Sequence, residues 1–182
     1  MPEPIQLHDL HFEQYLSPDT VARQVENIAA AISADYAAKP QPPILLAILN
    51  GAFVFASDLL RAMSIEAEIS FVKLSSYHGT ASTGRVQELI GLTHDLTGRD
   101  VIVVEDIVDS GETLHRFLPD LKQRGCASVR SAVLLVKPDA LKHPLEFEYW
   151  GFEIENAFVV GYGLDYDELG RGLPGIWRKA DS

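Results

Sequence analysis

Val101 to Val104 is a run of β-branched apolar residues that gives way to Glu105 and Asp106, two more apolar residues, and then Asp109-Ser110-Gly111-Glu112-Thr113. Such a run reads as a strand buried on both faces, the composition of a parallel sheet covered by helices on either side. The strand is expected to end at Val104, so that the polar residues fall at its carboxyl end, where open α/β sheets bind ligands. Ser110 to Thr113 opens the next helical pattern. Gly111 lets successive backbone N–H groups converge on an anion, and the hydroxyls of Ser110 and Thr113 add donors at a helix N-terminus. Asp-Ser-Gly alone is commonly only a turn, but in this setting the loop suits a phosphate. Glu105 and Asp106 would repel phosphate. They suit sugar hydroxyls, whose hydrogen bonds they can accept, or a divalent cation. An acid pair followed by an anion cradle points to a ribose phosphate.

The same alternation of strand, turn and helix recurs along the chain. Ser17 is a capping serine with Pro18 at the first helical position, and Val21, Val25, Ile28, Ile32 and Tyr36 follow at helical spacing up to a stop before Pro40. Pro43 to Leu49 reads as a buried strand, Asn50-Gly51 as a tight turn, and the residues around Phe53, Ser57 and Leu60 as a helix behind it. Ile65, Ala67, Ile69 and Phe71 alternate as in a half-exposed strand, and Ser75 to Gly84 is polar and poor in anchoring residues. After the acidic loop, Leu114, Phe117, Leu118 and Leu121 mark a helical face that Pro119 should kink or shorten and Gly125 should cap; Ser131 to Lys137 is again a buried strand. These units predict a doubly wound, mostly parallel α/β sheet whose loops gather at one carboxyl edge.

Charge and composition narrow the partners. The chain has 182 residues, of which 47% are hydrophobic, enough for one sizeable core. A formal net charge of -11 argues against nucleic acid or an anionic membrane, whose binding needs clustered Lys and Arg. An anionic substrate must then be received by local donors and metal. The single cysteine, Cys126, cannot form an internal disulfide, and the Met1-Pro2-Glu3-Pro4 start lacks the basic and apolar pattern of an export signal, so the cytoplasm is expected. No apolar run approaches the ~20 residues of a membrane-spanning helix. The six histidines show no paired metal-ligand spacing.

The full string from Val101 to Thr113 resembles the signature of the phosphoribosyltransferases: an apolar strand, two acidic residues, two apolar residues, then Asp-Thr/Ser-Gly-x-Thr. Every position of that pattern is filled. The resemblance extends from the first helix to Leu173-Pro174-Gly175-Ile176 and implies the type I fold of that family over residues 1–182 as one domain, with a small hood formed by the terminal segments and a mobile active-site loop around 75–86. It implies that Glu105 and Asp106 hold the ribose hydroxyls of phosphoribosyl pyrophosphate, while Asp109, Ser110, Gly111, Glu112 and Thr113 bind its 5′-phosphate. Leu49, Asn50 and Gly51 match the loop that meets pyrophosphate through backbone N–H groups, often beside a non-proline cis peptide. Family members commonly carry Lys or Arg at the position of Asn50. This chain departs there, which leaves the backbone donors without a side-chain charge.

Lys137 at a strand end, together with Ala157 to Tyr166, resembles the members that act on hypoxanthine and guanine. By that resemblance Lys137 donates to the 6-oxo group, Phe158 stacks on the purine and the Val159 backbone bonds the base edge. A site that donates to O6 rejects a 6-amino group, because both would present donors. Asp165, also at the purine pocket, would bind a second magnesium, with Glu105 and Asp106 as the other acidic metal candidates; Arg171 would reach the leaving group, and Ser76 and Tyr77 belong to the lid. Asp109 is implied to lie near N7, as the general base or as a carboxylate that orders the loop. Mg2+ is the implied cofactor, and a homodimer or homotetramer the implied assembly. The expected activity is phosphoribosyl transfer to hypoxanthine or guanine. Two alternatives stay open: a xanthine-preferring relative, and a non-catalytic nucleotide-sensing RNA-binding regulator, against which the net charge counts. A dinucleotide-binding dehydrogenase is weaker, since no Gly-x-Gly-x-x-Gly opens a helix.

Overall fold

A computed structural model describes residues 2–75, 87–90 and 95–180. The elements run β1 (Ile5–Leu7), β2 (Leu10–Leu16), α1 (Pro18–Tyr36), β3 (Ile44–Leu49), α2 (Phe53–Ala62), β4 (Glu68–Ser75), β5 (Gln87–Ile90), β6 (Asp100–Val108), α3 (Glu112–Gln123), β7 (Ser128–Val136), β8 (Tyr149–Glu153), β9 (Val159–Val160) and β10 (Ile176–Lys179). One sheet has six strands in the order β5-β4-β3-β6-β7-β8. All its neighbours are parallel except β5, which runs antiparallel on β4. From β3 the chain steps outward to β4 and then crosses to β6 on the other side of β3, so the topological switch point lies between β3 and β6.

The strand residues alternate between two cores. Leu45, Ala47, Ile102, Val104, Ala132 and Leu134 pack against Val25, Ile28 and Ile32 of α1 and Phe55 and Leu59 of α2. Ile44, Leu46, Val101, Val103 and Val133 face the opposite way, onto Leu114, Phe117 and Leu121 of α3. Helix α1 starts where its sequence cap placed it, with the Ser17 side chain accepting from the Thr20 N–H and Pro18 in the first turn. Gly125, at φ 80°, follows the last turn of α3.

Three expectations need correction. Strand β6 does not end at Val104 but continues to Val108, so Glu105 and Asp106 lie inside it. The reason is visible in the packing: Ile107 joins the first core and Val108 the second, the reverse of strict alternation from Val104, and Leu135 and Val136 of β7 show the same reversal. The two strands slip by one residue together and keep their register, Glu105 opposite Val133 and Ile107 opposite Leu135. Pro119 does not shorten α3, which runs through it to Gln123. The proline is exposed, so the carbonyl it leaves unpaired can reach water, while Leu114, Phe117 and Leu121 hold the other face in the core. In β4 the buried residues are Ser70 and Val72, and Phe71 is exposed.

A second, antiparallel sheet of order β1-β2-β10-β9 stands apart from the first in sequence, drawing its strands from the two ends of the chain. Phe12, Val160 and Trp177 form its core. This is the hood that the resemblance implied. Among the described residues, no helix is long and apolar enough to cross a membrane.

Leu134 is fully buried between β7 and the α1–α2 layer. Leu134→Ala should lower the unfolding free energy by about 2–5 kcal/mol in urea titration, whereas Leu169→Ala, at an exposed position, should change it by less than about 0.5 kcal/mol. Equal effects would contradict this assignment of the core.

Candidate active site

At the switch point the loop after β3 meets the acid pair of β6. Leu49-Asn50 is a cis peptide, and Gly51 follows it. A Cβ on Gly51 would overlap the carboxylate of Asp106, so glycine here gives that carboxylate its place against the backbone. Gly163, at φ 103°, repeats the device from another direction: a Cβ there would overlap the carbonyl oxygen of Gly51. Three segments, 49–52, 105–106 and 161–165, thereby meet, the second through the Asp106 carboxylate and the third backbone to backbone. Asn50 is exposed and Leu49 half-buried.

The loop after β6 has the shape expected of an anion cradle. Gly111 takes φ 76° immediately before α3, and its carbonyl accepts from His115 N–H at 2.9 Å. The Ser110 hydroxyl accepts from Glu112 N–H at 3.4 Å. Ser110, Glu112 and Thr113 are all partly exposed at the helix N-terminus, where backbone N–H groups lack helical partners.

Lys137 directly follows β7, and its side chain is buried, donating to Asp109 Oδ2 at 2.7 Å; the Asp109 side chain is 56% exposed. A buried donor and an open acceptor thus stand side by side at the mouth of the parallel sheet. Phe158 is 43% exposed on one side and packed on the other, against Phe12 at a centroid distance of 6.0 Å and edge-on to Tyr166 at 5.6 Å. Val159 belongs to β9, the edge strand of the hood, so one side of its backbone is free of sheet pairing. Asp165 is ion-paired with Arg171 at 2.9 Å and accepts from Glu168 N–H; Arg171 also donates to the Gly163 carbonyl at 2.8 Å. Asp167 and Glu168 form an exposed turn with positive φ, as their charge suggested.

Burial drives the Glu105 carboxyl well above its ordinary range, and the Asp106 charge adds to the shift. Asp106 is pushed up to about 6, chiefly by burial and also by the Asp165 charge, against backbone hydrogen bonds and Arg171, which pull it down. Among the described residues, Glu105 Oε2 is buried without a hydrogen-bond partner. Among the described residues, no group of three or more His, Cys, Asp or Glu forms a ready-made metal cage. Magnesium asks less, since it takes one or two carboxylates with substrate oxygens and water. An orphaned carboxylate oxygen beside Asp106, with Asp165 close enough to perturb it, fits that requirement.

The structure therefore gathers Leu49, Asn50, Gly51, Glu105, Asp106, Asp109 to Thr113, Lys137, Phe158, Val159, Asp165 and Arg171 along one edge of the sheet and the adjoining hood. Ser76 and Tyr77 lie outside the described residues. Sequence reasoning missed the supports. Tyr166 donates to Asp9 Oδ1 at 2.7 Å and so ties the β1–β2 turn to the segment bearing Asp165; Tyr162 donates to Asp58 of α2 at 2.7 Å. Only the position of Tyr166, directly after Asp165, hinted at its place. The Lys137–Asp109 pair also joins residues 28 apart, which no local pattern reveals.

Comparison with known proteins shows the family and the fold. Residues 11–167 match the model of the phosphoribosyl transferase domain. A hypoxanthine-guanine phosphoribosyltransferase of Streptococcus pneumoniae is 42% identical over 162 residues, 88% of this chain and 89% of that one. The crystal structure of a hypoxanthine-guanine phosphoribosyltransferase from Bacillus anthracis superposes with a TM-score of 0.84 at 36% identity, covering 93% of this chain and 97% of that one. A hypoxanthine phosphoribosyltransferase of Trypanosoma cruzi gives a TM-score of 0.88 at 31% identity, with 97% and 95% covered.

The raised Asp106 has a consequence for stability. A carboxyl whose folded pKa is about 6, against an ordinary 3.8, contributes its full stability below about pH 4 and loses it as the pH rises through about 6. Asp106→Asn should therefore raise the melting temperature of the unliganded protein at pH 8, with the gain shrinking towards pH 4. Thermal melts at the two pH values test this; a variant no more stable than the parent at pH 8 would count against the shift.

Proposed function

Because the chain belongs to the phosphoribosyl transferase family, we propose that it transfers the phosphoribosyl group of phosphoribosyl pyrophosphate to hypoxanthine or guanine, giving IMP or GMP and pyrophosphate in purine salvage. The observation that carries the base assignment is the buried Lys137 ammonium beside the open Asp109 carboxylate, 2.7 Å apart. Donor and acceptor on adjacent atoms match the O6 and N7 edge of a 6-oxopurine, and a 6-amino group would face a second donor. Phe158 offers an open ring face for the purine, backed by Phe12 and Tyr166. The high identity to curated hypoxanthine-guanine enzymes over most of both chains supports the same substrates.

The mechanism follows from the order of groups along the site. The backbone N–H groups of the loop 109–113, with the Ser110 and Thr113 hydroxyls, hold the 5′-phosphate, and Glu105 and Asp106 accept from the ribose hydroxyls, which fixes the anomeric carbon between pyrophosphate and base. The bond from that carbon to pyrophosphate breaks as positive charge develops on the ribose, and N9 of the purine forms the new bond from the opposite face. Asp109 takes or shares the purine proton at N7, while Lys137 donates to O6 and stabilises charge spreading into the ring. Backbone N–H groups of 49–52 and the Arg171 guanidinium receive pyrophosphate; the present Arg171–Asp165 pair is exchanged or shared when that anion arrives. Glu105, Asp106 and Asp165 would hold magnesium, which supplies neutralisation of the phosphate and pyrophosphate charge when bound. We place the protein in the cytoplasm, as a homodimer or homotetramer, with neither nucleic acid nor membrane as a partner.

An assay of hypoxanthine, guanine, xanthine and adenine with phosphoribosyl pyrophosphate and magnesium tests the reading. IMP or GMP should form, with little AMP; strong use of adenine, or undiminished turnover in excess chelator, would overturn it. Asp109→Asn should lower turnover by about 10² to 10⁴, with a much smaller effect on phosphoribosyl pyrophosphate affinity. An equal loss in both would make Asp109 a loop-ordering residue instead.

A further inference from the structure

Residues 141–145, on the way from Lys137 to β8, brace the phosphate loop from behind at three levels. Lys142 N–H donates to the Ser110 carbonyl at 3.0 Å. Leu145 and Leu141 close over Gly111, where a Cβ would lie 2.7 and 3.3 Å from them. His143 Nε2 is 2.7 Å from Glu112 Oε1. A carboxylate only accepts, so Nε2 carries the proton whether the ring is neutral or charged. The ring plane is set by a face-to-face stack with His115 at 3.8 Å and 3°. The second oxygen of Glu112 is taken by Arg116 Nη2 at 2.9 Å.

Glu112 is a costly residue for a loop that must receive a phosphate. Its charge favours the N-terminus of α3 but opposes any anion bound there. The hydrogen bond from His143, with the charges of Arg116 and Lys142, keeps its carboxyl below the ordinary range, so it is ionised at neutral pH. Both its oxygens are engaged from α3 and from the brace. We propose that His143 is a positioning residue for phosphoribosyl pyrophosphate: together with Arg116 it holds the Glu112 carboxylate turned onto the brace and the helix, and offsets its charge, so that the 5′-phosphate meets the donors of the loop. Segment 138–145 thus connects two substrates, since it begins at the base-binding Lys137 and ends against the phosphate loop.

This inference rests on the reading of 109–113 as the 5′-phosphate cradle, and the experiment separates the two. His143→Ala should raise KM for phosphoribosyl pyrophosphate about fivefold, a size typical of an unmasked, partly exposed charge, with kcat and the KM for the base unchanged. Ribose 5-phosphate binding, followed by calorimetry, should weaken by the same factor. Arg116→Ala, on the exposed face of α3, should act in the same direction. The double variant Glu112→Gln/His143→Ala should return KM and ribose 5-phosphate affinity towards the parent, because no charge is left to mask; a purely structural role of the histidine would not be rescued. Unchanged affinity in His143→Ala, or a double variant as weak as the single one, overturns the proposal. If the parent binds ribose 5-phosphate but transfers no phosphoribosyl group, the function reading fails while the brace is still tested by binding. If Gly111→Ala leaves ribose 5-phosphate binding intact, the cradle itself is wrong and the proposal falls with it.

Discussion

Two glycines, Gly51 and Gly163, let a carboxylate and two backbones occupy space that side chains would otherwise fill, and the site depends on that contact. Asp106 rests on Gly51, and Gly163 rests on the Gly51 carbonyl, so the acid pair, the loop after β3 and segment 161–165 share one junction. The junction sits at the switch point between β3 and β6, where the sheet leaves a crevice because its connections diverge. The coordinated slip of β6 and β7 carries the acid pair into this crevice while both strands stay paired. Tertiary packing thus aligns three segments whose residues are widely separated along the chain.

The junction is electrostatically expensive. Among the described residues Glu105 has a buried oxygen with no partner, and the Asp165 charge adds to the burial that raises Asp106. In the proposed function a cation or a set of ribose hydroxyls supplies what those oxygens lack. Around it the charges are arranged in pairs, Lys137 with Asp109 and Arg171 with Asp165, each joining a cation to an acid that the substrates must approach. In the proposed function a chain of net charge -11 receives an anion in this way, by local donors and exchangeable pairs instead of a basic surface.

Periodicity and composition made much of this legible. The buried runs at 44–49 and 101–104, the Ser17 cap and the acidic string with its glycine all carry local signals, and each appears where those signals point. The departures have long-range causes. Nothing near Glu105 announces that β6 continues to Val108, because the continuation is set by pairing with Leu135 and Val136 of β7. Pro119 is tolerated because the core holds the opposite face of α3, a fact of packing that a helix-breaker rule does not contain. Tyr166, Asp9 and His143 were silent for the same reason: their partners are more than thirty residues away. The family resemblance pointed to the residues expected to meet substrates; it gave no sign of Tyr166 or His143, which tie those segments in place.

The hood has a further consequence, which concerns how the molecule is made. Its order β1-β2-β10-β9 sets β10, the last strand, between β2 from the beginning of the chain and β9, the strand next to Phe158. A chain emerging from the ribosome can assemble β3 to β8 and their helices while its final residues are still being added, since those strands pair with one another. The first hairpin must wait throughout that time for its neighbour, and β9 has no sheet to join until Ile176 to Lys179 arrive. The crevice between β3 and β6 can therefore form before β10 is made, whereas the aromatic wall around Phe158 closes only when β10 joins β2 and β9.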